Sequence, residues 1–263
     1  MSNQKTSGGF SFVISALAIL ICIGIGWFVY LTILGNPSNF DAEGHPKPGN
    51  LLGTMYKGGI IVPFLLGVFL TVITFAIERF MTISKAAGKG QADKFVAKIK
   101  TLVANHQLDE AIAECDKQKG SLANVVHEGI SKYKFVENDG HMDKEAKVHA
   151  IQKSLEEATA LELPMLSKNM VVISTCASIG TLMGLIGTVV GMIRAFAALA
   201  NAGAPDTSAL ATGISEALVN TLVGIASSAL AIIFYNLFSN RVDQLTYAMD
   251  EAGYSIVQDF QSK

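Results

Sequence analysis

Four long stretches of the chain are almost free of charged side chains, and they constrain its fold more than any other feature. They cover 6–40, 58–77, 169–193 and 207–240, and within them stands a single acid, Glu216. Each is long enough for the roughly 20 residues that cross a bilayer as a helix. The sequence therefore predicts an all-α integral membrane protein with four transmembrane helices.

The first stretch stands at the N-terminus, so a cleaved signal peptide is the alternative to a retained helix. Its apolar part, residues 10–34, exceeds the ~7–15 apolar residues usual for a signal peptide. No cleavage site with small residues two positions apart follows before Pro37. A retained transmembrane helix is the favoured interpretation.

The distribution of positive charge predicts the orientation in the membrane. Most lysines and arginines lie between Arg79 and Lys168, whereas the loop at 35–57 holds only Lys47 and Lys57. Positive residues close to the ends of a span favour the cytoplasmic side, so the region 79–168 is predicted to be cytoplasmic. An even number of spans then places both termini in the cytoplasm. The net charge of −2 gives no reason to expect a nucleic-acid partner.

The predicted cytoplasmic region has the apolar spacing of amphipathic helices. Three segments repeat apolar residues three and four positions apart: Phe95, Val96, Ile99, Leu102 and Val103; Leu108, Ile112 and Cys115; and Leu122, Val125, Val126 and Ile130. A loop is predicted at 136–143. From Asp143 onward, helix-forming residues predict one long helix that runs into the third span and bends at Pro164, with a separate short helix as the alternative.

These patterns give a division of the chain into segments. It comprises an extra N-terminal transmembrane helix with a periplasmic loop (1–57), a second transmembrane helix (58–79), a cytoplasmic helical domain (80–163), third and fourth transmembrane helices (164–200 and 207–240) and a cytoplasmic tail (241–263). No repeat of 20–50 residues indicates a solenoid.

The sequence offers no pattern typical of metal, cofactor or catalytic chemistry. Cys22, Cys115 and Cys176 are isolated, and the five histidines are scattered. The phosphate-binding pattern GxxxxGK[ST] does not occur. We therefore expect no cofactor, no metal site and no enzymatic activity.

Small and polar residues form a stripe on one face of each of the last two spans. In the third span the stripe contains Ser174, Ala177, Thr181, Gly184, Thr188 and Gly191, and in the fourth it contains Gly213, Glu216, Asn220, Gly224 and Ser227, with Thr221 on its flank. Lipid is as apolar as leucine, so helices in a membrane associate through close packing and polar contacts. The stripes therefore predict helix–helix contact.

Glu216 has two interpretations. It precedes Arg241 by about 37 Å of helix, longer than the ~30 Å hydrocarbon core, so it could lie at the outer membrane interface. It also shares the polar face of Asn220 and Ser227, which an interfacial acid does not need. An ionisable group inside a span is by default a functional candidate.

Two motifs carry a family resemblance. The segment GLIGTVVGMIRAF (184–196), followed by GISEALVNTLVGIASSALAIIFYNLF (213–238), resembles the MotA/TolQ/ExbB proton-channel family, and most nearly its ExbB/TolQ branch. The matching elements are the glycine-flanked Thr188, the acid Glu216, Thr221 and the pair Tyr235–Asn236. The triplet Glu78-Arg79-Phe80 at the end of the second span also fits the family.

The resemblance implies an assembly and a location. Family members form a homo-oligomeric ring, pentameric for ExbB, around two single-span partner helices of the ExbD/TolR type in the bacterial inner membrane. Proton flow past an essential partner aspartate moves the inner helices, and a TonB-like energiser transmits the motion to outer-membrane transport. Thr188, Glu216 and Thr221 match pore-facing family positions, and Asn220 adds a hydrogen-bonding group beside Glu216.

Three departures from the family and several alternatives stay open. The chain adds the helix at 10–34, which we expect to pack outside the ring. It also carries Gly180–Thr181 where many relatives have Ala-Pro, and Asn220 where a small residue is typical. A TolQ-like or flagellar-stator-like motor subunit is the nearest alternative. A non-conducting scaffold and a solute transporter are others, although a transporter predicts inverted repeats that the spans do not show.

Overall fold

The computed structural model describes residues 7–201 and 207–263, so 1–6 of the predicted N-terminal segment and 202–206 of the loop before the fourth span lie outside the described residues. Its helices are α1 (Ser7–Val29), α2 (Leu51–Lys57), α3 (Ile61–Ala87), α4 (Ala92–Ala104), α5 (Leu108–Gln118), α6 (Gly120–Glu137), α7 (Lys144–Ser167), α8 (Met170–Asn201) and α9 (Thr207–Ser262). A π-helical turn, Tyr30–Leu34, extends α1, and a 3-10 turn spans Pro37–Asn39. The described residues contain one isolated β-bridge and no strand. The all-α prediction is confirmed.

Four helical stretches are long and apolar enough to cross a membrane, as predicted. They lie within Val13–Leu34, Ile61–Ala104, Lys144–Ala197 and Leu210–Ser262. Large apolar side chains on these stretches are exposed, including Leu20, Leu185 and Ile233. Exposed aliphatic surface of this kind is unfavourable in water and suits contact with lipid. The chain is a multi-pass membrane protein.

The chain divides into two compact units, and the first contains Met1–Ile77 and Val171–Tyr235. Here α1 and α3 approach closely at two glycines. A Cβ atom at Gly26 would lie 2.5 Å from the carbonyl oxygen of Pro63, and one at Gly67 would lie 2.9 Å from the Cα of Ile23. Small residues permit this approach of two backbones, which is how helices gain packing energy in a membrane. The helix that the family resemblance does not account for is therefore packed against α3.

The same unit has an apolar cluster where the turn after α1 meets α3 and α9. Its buried members are Leu34, Val62 and Val219. The ring of Tyr30 stacks on that of Tyr56, with centroids 4.7 Å apart, and its hydroxyl donates to the Tyr56 carbonyl at 3.0 Å. This cluster brings the end of the first span to the beginning of the fourth.

The second unit, Glu78–Met170 with Asn236–Lys263, is a helical domain. The predicted apolar faces form its core: Phe95, Val96, Ile99, Leu108, Leu122, Val126 and Ile130 are buried. Tyr133, fully buried, donates its hydroxyl to the carboxylate of Asp259 at 3.0 Å. Asp143 caps α7 by accepting from the backbone N–H of Ala146 at 2.7 Å, as expected for an acid at an N-cap. The helices predicted from spacing are confirmed, and the loop before α7 is present but begins at Asn138, because α6 continues to Glu137.

Helix α7 contains Pro164, as predicted, but it ends at Ser167 instead of running on into the third span. Asn169 adopts a left-handed backbone conformation, with φ of 60°. Asparagine tolerates this conformation better than most residues, and a single such residue interrupts an α-helix. The helical stretch is therefore broken at Lys168 and Asn169, and α8 begins at Met170.

Arg79, a positive charge near the end of a span, is among the most buried side chains of the second unit, with 1% exposure. Its Nε donates to Glu78 at 2.6 Å, and a terminal nitrogen donates to the carbonyl oxygens of Met165 and Leu166 at 3.3 and 3.4 Å. These carbonyls belong to the last turn of α7 and have no acceptor role within the helix. Arg79 therefore caps the C-terminus of α7.

Candidate ion pathway

The predicted stripes of small residues form the contact between α8 and α9. A Cβ atom at Gly224 would lie 2.6 Å from the carbonyl oxygen of Gly180 and 2.8 Å from the Cα of Gly184. Farther along, Cβ atoms at Gly191 and Gly213 would lie 2.9 Å and 2.7 Å from the Cβ atoms of Ala217 and Ala195. The two backbones meet directly, so much of both stripes is used in packing within one chain.

The residues of the two stripes differ in burial. Gly184, Gly191, Gly213, Gly224 and Ser227 are buried, Ala177 is half-buried, and Ser174 and Thr181 are exposed. The hydroxyl of Ser227 donates to its own helix at the Val223 carbonyl, 2.8 Å away. Thr181 donates to Ser228 at 2.8 Å, and Ser228 donates to the Ala177 carbonyl at 2.6 Å. Hydroxyl groups thus join the two helices beside the glycine contact.

Thr188 of α8 and Thr221 of α9 form a second hydroxyl pair between the helices. Their Oγ1 atoms hydrogen-bond to each other. The Thr188 hydroxyl lies 3.2 Å from the Gly184 carbonyl oxygen, and the Thr221 hydroxyl lies 3.4 Å from it. Each hydroxyl can donate a hydrogen bond to this oxygen. Both residues are half-buried. Two hydroxyls with a shared carbonyl acceptor can exchange hydrogen-bond partners with water or with an incoming carboxylate.

Glu216 lies in a different environment from the threonine pair. Five residues of helix separate Glu216 from Thr221, which directs the two side chains about 140° apart. The Glu216 carboxylate is 3.7 Å from the guanidinium of Arg194 on α8, with 18% of the Glu216 side chain exposed. The structure therefore brings Thr188 to Thr221 and Glu216 to Arg194, on different sides of α9.

Two further polar groups act on Glu216. Lys57, the last residue of α2, is close enough for a favourable electrostatic interaction with the carboxylate. Tyr30, in the turn after α1, also lies close to the carboxylate. The turn that extends the N-terminal helix therefore contributes to the surroundings of this acid.

Asn220, predicted to lie beside Glu216 in the ion pathway, is 2% exposed. Its amide nitrogen donates to the Gly58 carbonyl oxygen at 2.9 Å, between α2 and α3. Its amide oxygen is buried and has no hydrogen-bond partner among the described residues. The side chain fits against Gly187, where a larger residue would collide with it. Asn220 therefore faces the interior of the first unit.

Sequence reasoning did not identify Arg194, Lys57 or Tyr30 as neighbours of Glu216. Arg194 is the first charged residue after the third span, and no other positive charge stands between it and Glu216 in the sequence. Its pairing with an acid on the next span could have been proposed from charge alone. Tyr30 and Lys57 gave no such signal, because their positions depend on how the first span folds against the others.

No group of three or more histidine, cysteine, aspartate or glutamate side chains able to hold a metal ion occurs in the described part of the chain. The arrangement offers one carboxylate and a pair of hydroxyl groups, which are groups that can bind protons and exchange hydrogen bonds.

Comparison with known proteins gives the family. The model of the MotA/TolQ/ExbB proton channel family matches residues 117–251, just over half of the chain, and includes both motif segments. The biopolymer transport protein ExbB of Pseudomonas putida is 25% identical over 189 residues, covering 72% of this chain and 56% of the relative. An ExbB-like protein of Synechocystis is 37% identical over 87 residues, covering 32% of this chain and 41% of the relative.

A TolQ protein is similar to the chain over more of its own length. The Tol-Pal system protein TolQ of Pseudomonas aeruginosa is 22% identical over 183 residues, covering 68% of this chain and 79% of the relative. The chain thus spans only about half of the length of these two ExbB-type relatives, and about four fifths of this TolQ. Four membrane-spanning stretches, the two motif segments and the family match lead to one conclusion: the chain belongs to the MotA/TolQ/ExbB proton channel family.

Proposed function

We propose that the chain is an ExbB-like subunit of a motor driven by the proton-motive force in the bacterial inner membrane. Copies of the chain form a ring, a homopentamer, around a dimer of single-span partner helices of the ExbD/TolR type. Proton flow through the ring moves the partner helices, and a TonB-like energiser couples this motion to transport across the outer membrane. The family match and the ExbB-type relatives support this proposal.

One observation carries the proposal: the family-matched segment contains an ionisable side chain, Glu216, in a helix that is long and apolar enough to span the membrane. A charged group in this position is costly and is retained where it faces a partner, a cavity or water. Its carboxylate is partly exposed despite its ion pair with Arg194. In the proposed function, this exposed part meets the partner helices and exchanges protons or lines their path.

The hydroxyl pair of Thr188 and Thr221 supplies a second polar contact for the partner. Both hydroxyls are half-buried at the rim of the α8–α9 contact, where the glycines leave no room for side chains. In the proposed function, they hold water or the essential aspartate of the partner. The glycine stripes then keep α8 and α9 together as one wall of the passage.

The charge distribution supports the orientation of this machine. With 79–168 in the cytoplasm, α3 and α9 run in opposite senses to α8, and both termini are cytoplasmic. Glu216 then lies toward the periplasmic end of α9. Lys57 and Arg194 would be positive charges at this outer end, where they interact with the acid. The proposed segments are those of the sequence analysis, with the cytoplasmic domain at 80–163 and a cytoplasmic tail at 241–263.

The test is Glu216→Gln in cells whose energised outer-membrane transport depends on this chain and its partner. Native gel electrophoresis measures whether the complex assembles. We expect normal assembly with loss of transport, complete if Glu216 carries protons and partial if it only lines the path. Glu251→Gln is the matched control, because Glu251 is an acid of the same helix that pairs with Lys100 in the second unit. Retained transport in the Glu216→Gln chain contradicts the proposal.

A TolQ-like function is the second candidate, and the comparisons give it a specific basis. The chain covers 79% and 87% of two TolQ proteins, more than the 56% of the Pseudomonas putida ExbB. The gene can be expressed in cells lacking their own ExbB, and separately in cells lacking TolQ. Restoration of TonB-dependent uptake supports the ExbB-like function, whereas restoration of only the Tol-Pal-dependent phenotype supports the TolQ-like one.

A further inference from the structure

The amide of Asn220 offers a buried acceptor that no group in the described part of the chain uses. Its nitrogen donates to the Gly58 carbonyl at 2.9 Å. A carbonyl oxygen only accepts hydrogen bonds, so the nitrogen and not the oxygen of the amide must face Gly58. The amide oxygen is buried without a partner there, in a residue that is 2% exposed. A buried acceptor left unsatisfied is unfavourable, so a donor that reaches it is stabilised.

Glu216 is placed to supply such a donor. It precedes Asn220 by four residues in α9, and side chains at this spacing lie on the same face, with Cβ atoms about 5–6 Å apart. Both side chains also interact with neighbouring residues at the end of α2. Lys57 interacts electrostatically with Glu216, and Gly58 accepts from Asn220. The next residue, Gly59, lies against Arg194, whose guanidinium nitrogen is 3.3 Å from the position of a Cβ there.

An ionised carboxylate cannot fill this role, because it has only acceptor atoms. A protonated carboxyl group has one O–H donor. We propose that Asn220 is a positioning residue of the ion pathway, whose amide oxygen accepts a hydrogen bond from the Glu216 carboxyl group when that group is protonated. The inference rests on the proposed function, in which Glu216 takes up and releases protons.

The charged and titratable groups around Glu216 favour a different arrangement of the ionised form. Arg194 faces it from α8 at 3.7 Å, Lys57 faces it from α2, and Tyr30 approaches from the turn after α1. The ionised Glu216 carboxylate is attracted to Arg194 and Lys57. The protonated carboxyl group lacks this attraction and can instead donate a hydrogen bond to the Asn220 amide oxygen. Proton uptake therefore changes the partner of Glu216 and releases Arg194.

A double-mutant cycle on the assembled complex tests this hydrogen bond. Glu216→Gln replaces the O–H donor by a permanently uncharged amide donor, and Asn220→Leu removes the acceptor at similar volume. Thermal unfolding is measured for the unchanged chain, both single variants and the double variant at pH 9, because alkaline pH favours the carboxylate form of Glu216. Asn220→Leu breaks the bond to Gly58 in both backgrounds. We expect it to lower the Tm by about 2–4 °C more in the Glu216→Gln background, the effect of one further hydrogen bond in a chain of this size.

Thr71→Val is the matched control for the cycle. Thr71 is 2% exposed, and its hydroxyl donates to its own helix, at the Gly67 carbonyl 2.8 Å away. We expect Thr71→Val to change the Tm equally in both backgrounds. Equal effects of Asn220→Leu in the two backgrounds overturn the proposed hydrogen bond.

A second measurement leaves Asn220 unchanged, in case Asn220→Leu does not assemble. In an experimental structure of the Glu216→Gln complex, the introduced amide nitrogen should lie about 2.7–3.2 Å from the Asn220 amide oxygen. An amide that stays on Arg194, away from Asn220, overturns the inference.

The transport assay separates this inference from the function on which it rests. If the Glu216→Gln chain loses transport but the Tm changes of the two substitutions are additive, the proposed hydrogen bond is refuted and the proposed function is still supported. If the Glu216→Gln chain retains transport, the proposed function is refuted, and with it the role of Asn220 in an ion pathway.

Discussion

The hydroxyl groups of Thr188 and Thr221 hydrogen-bond to each other across the contact of α8 and α9, at the rim of a glycine-lined interface. Valine matches threonine in shape and lacks the hydroxyl. We expect Thr188→Val and Thr221→Val each to abolish or strongly reduce ion-driven transport while the complex still assembles. The stability change should be about 0.5–1.5 kcal/mol, the net contribution of a hydrogen bond.

Transport assays with native gels measure this effect. The control is Thr175→Val on the same helix, because the exposed Thr175 hydroxyl donates to the Val171 carbonyl of its own helix, at 2.7 Å. Transport that survives the loss of both Thr188 and Thr221 hydroxyls would show that the pair serves packing alone.

Packing of α8 against α9 should not tolerate a side chain at Gly224. A Cβ atom there would lie 2.6 Å from the Gly180 carbonyl oxygen, so the backbones must separate. We expect Gly224→Ala to destabilise the chain by about 1–3 kcal/mol, as overpacking does, and to lower the Tm measured in detergent.

Gly24→Ala is the opposite case. A Cβ at Gly24 would meet no atom within 4 Å in the described chain, and alanine is the better helix former. Its Tm should stay the same or rise. A Gly224→Ala chain as stable as the unchanged chain would contradict the packing described for α8 and α9.

Removal of Arg79 should destabilise the second unit. Arg79→Met leaves the carbonyls of Met165 and Leu166 without their donor and Glu78 without its buried ion-pair partner. Glu78 is partly exposed to solvent, so the main loss is that of the buried donor to these carbonyls, which costs about 1–3 kcal/mol. Faster proteolysis of the helical domain and a lower Tm would report the change. Lys85→Met, at an exposed lysine of the same helix, should have little effect. If both variants are equally stable, Arg79 is not the cap of α7.

Cys115 should make the folded second unit less stable at alkaline pH. Burial, and secondarily the nearby charge of Asp116, raises the pKa of the Cys115 thiol to about 12. Above the ordinary thiol pKa near 9, the unfolded chain releases this proton while the folded chain keeps it. Stability therefore falls between about pH 9 and pH 12, since the unfolded state then binds fewer protons.

Thermal unfolding at pH 8 and at pH 10.5 measures this dependence. The fall in Tm between these two pH values should be smaller in Cys115→Ala than in the unchanged chain, because the alanine chain lacks the titrating thiol. Identical pH dependence of the two chains would contradict a buried, neutral thiol. The same burial predicts slow alkylation of Cys115 by maleimides until the unit unfolds.

The sequence by itself determined the class of the protein, its four spans and the helices of the second unit. The length of an uncharged stretch identifies a transmembrane span, because charged side chains and unpaired backbone groups are costly in lipid. A helix pairs its backbone groups within the same segment. Helical spacing also determined which residues share a face, and the glycines of the stripes on α8 and α9 lie in a helix–helix contact, whereas Ser174 is exposed.

The tertiary structure decided what each face touches. Spacing gives the direction of a side chain around its own helix, but its partner depends on which other helix packs there. For that reason the pairing of Glu216 with Arg194, the bond from Asn220 to Gly58 and the burial of Arg79 could not be read from one helix at a time. The break at Asn169, where the favoured prediction was one continuous helix, has a related reason: its side chain donates to Glu78 at 3.3 Å, a tertiary contact that local helix propensity does not contain.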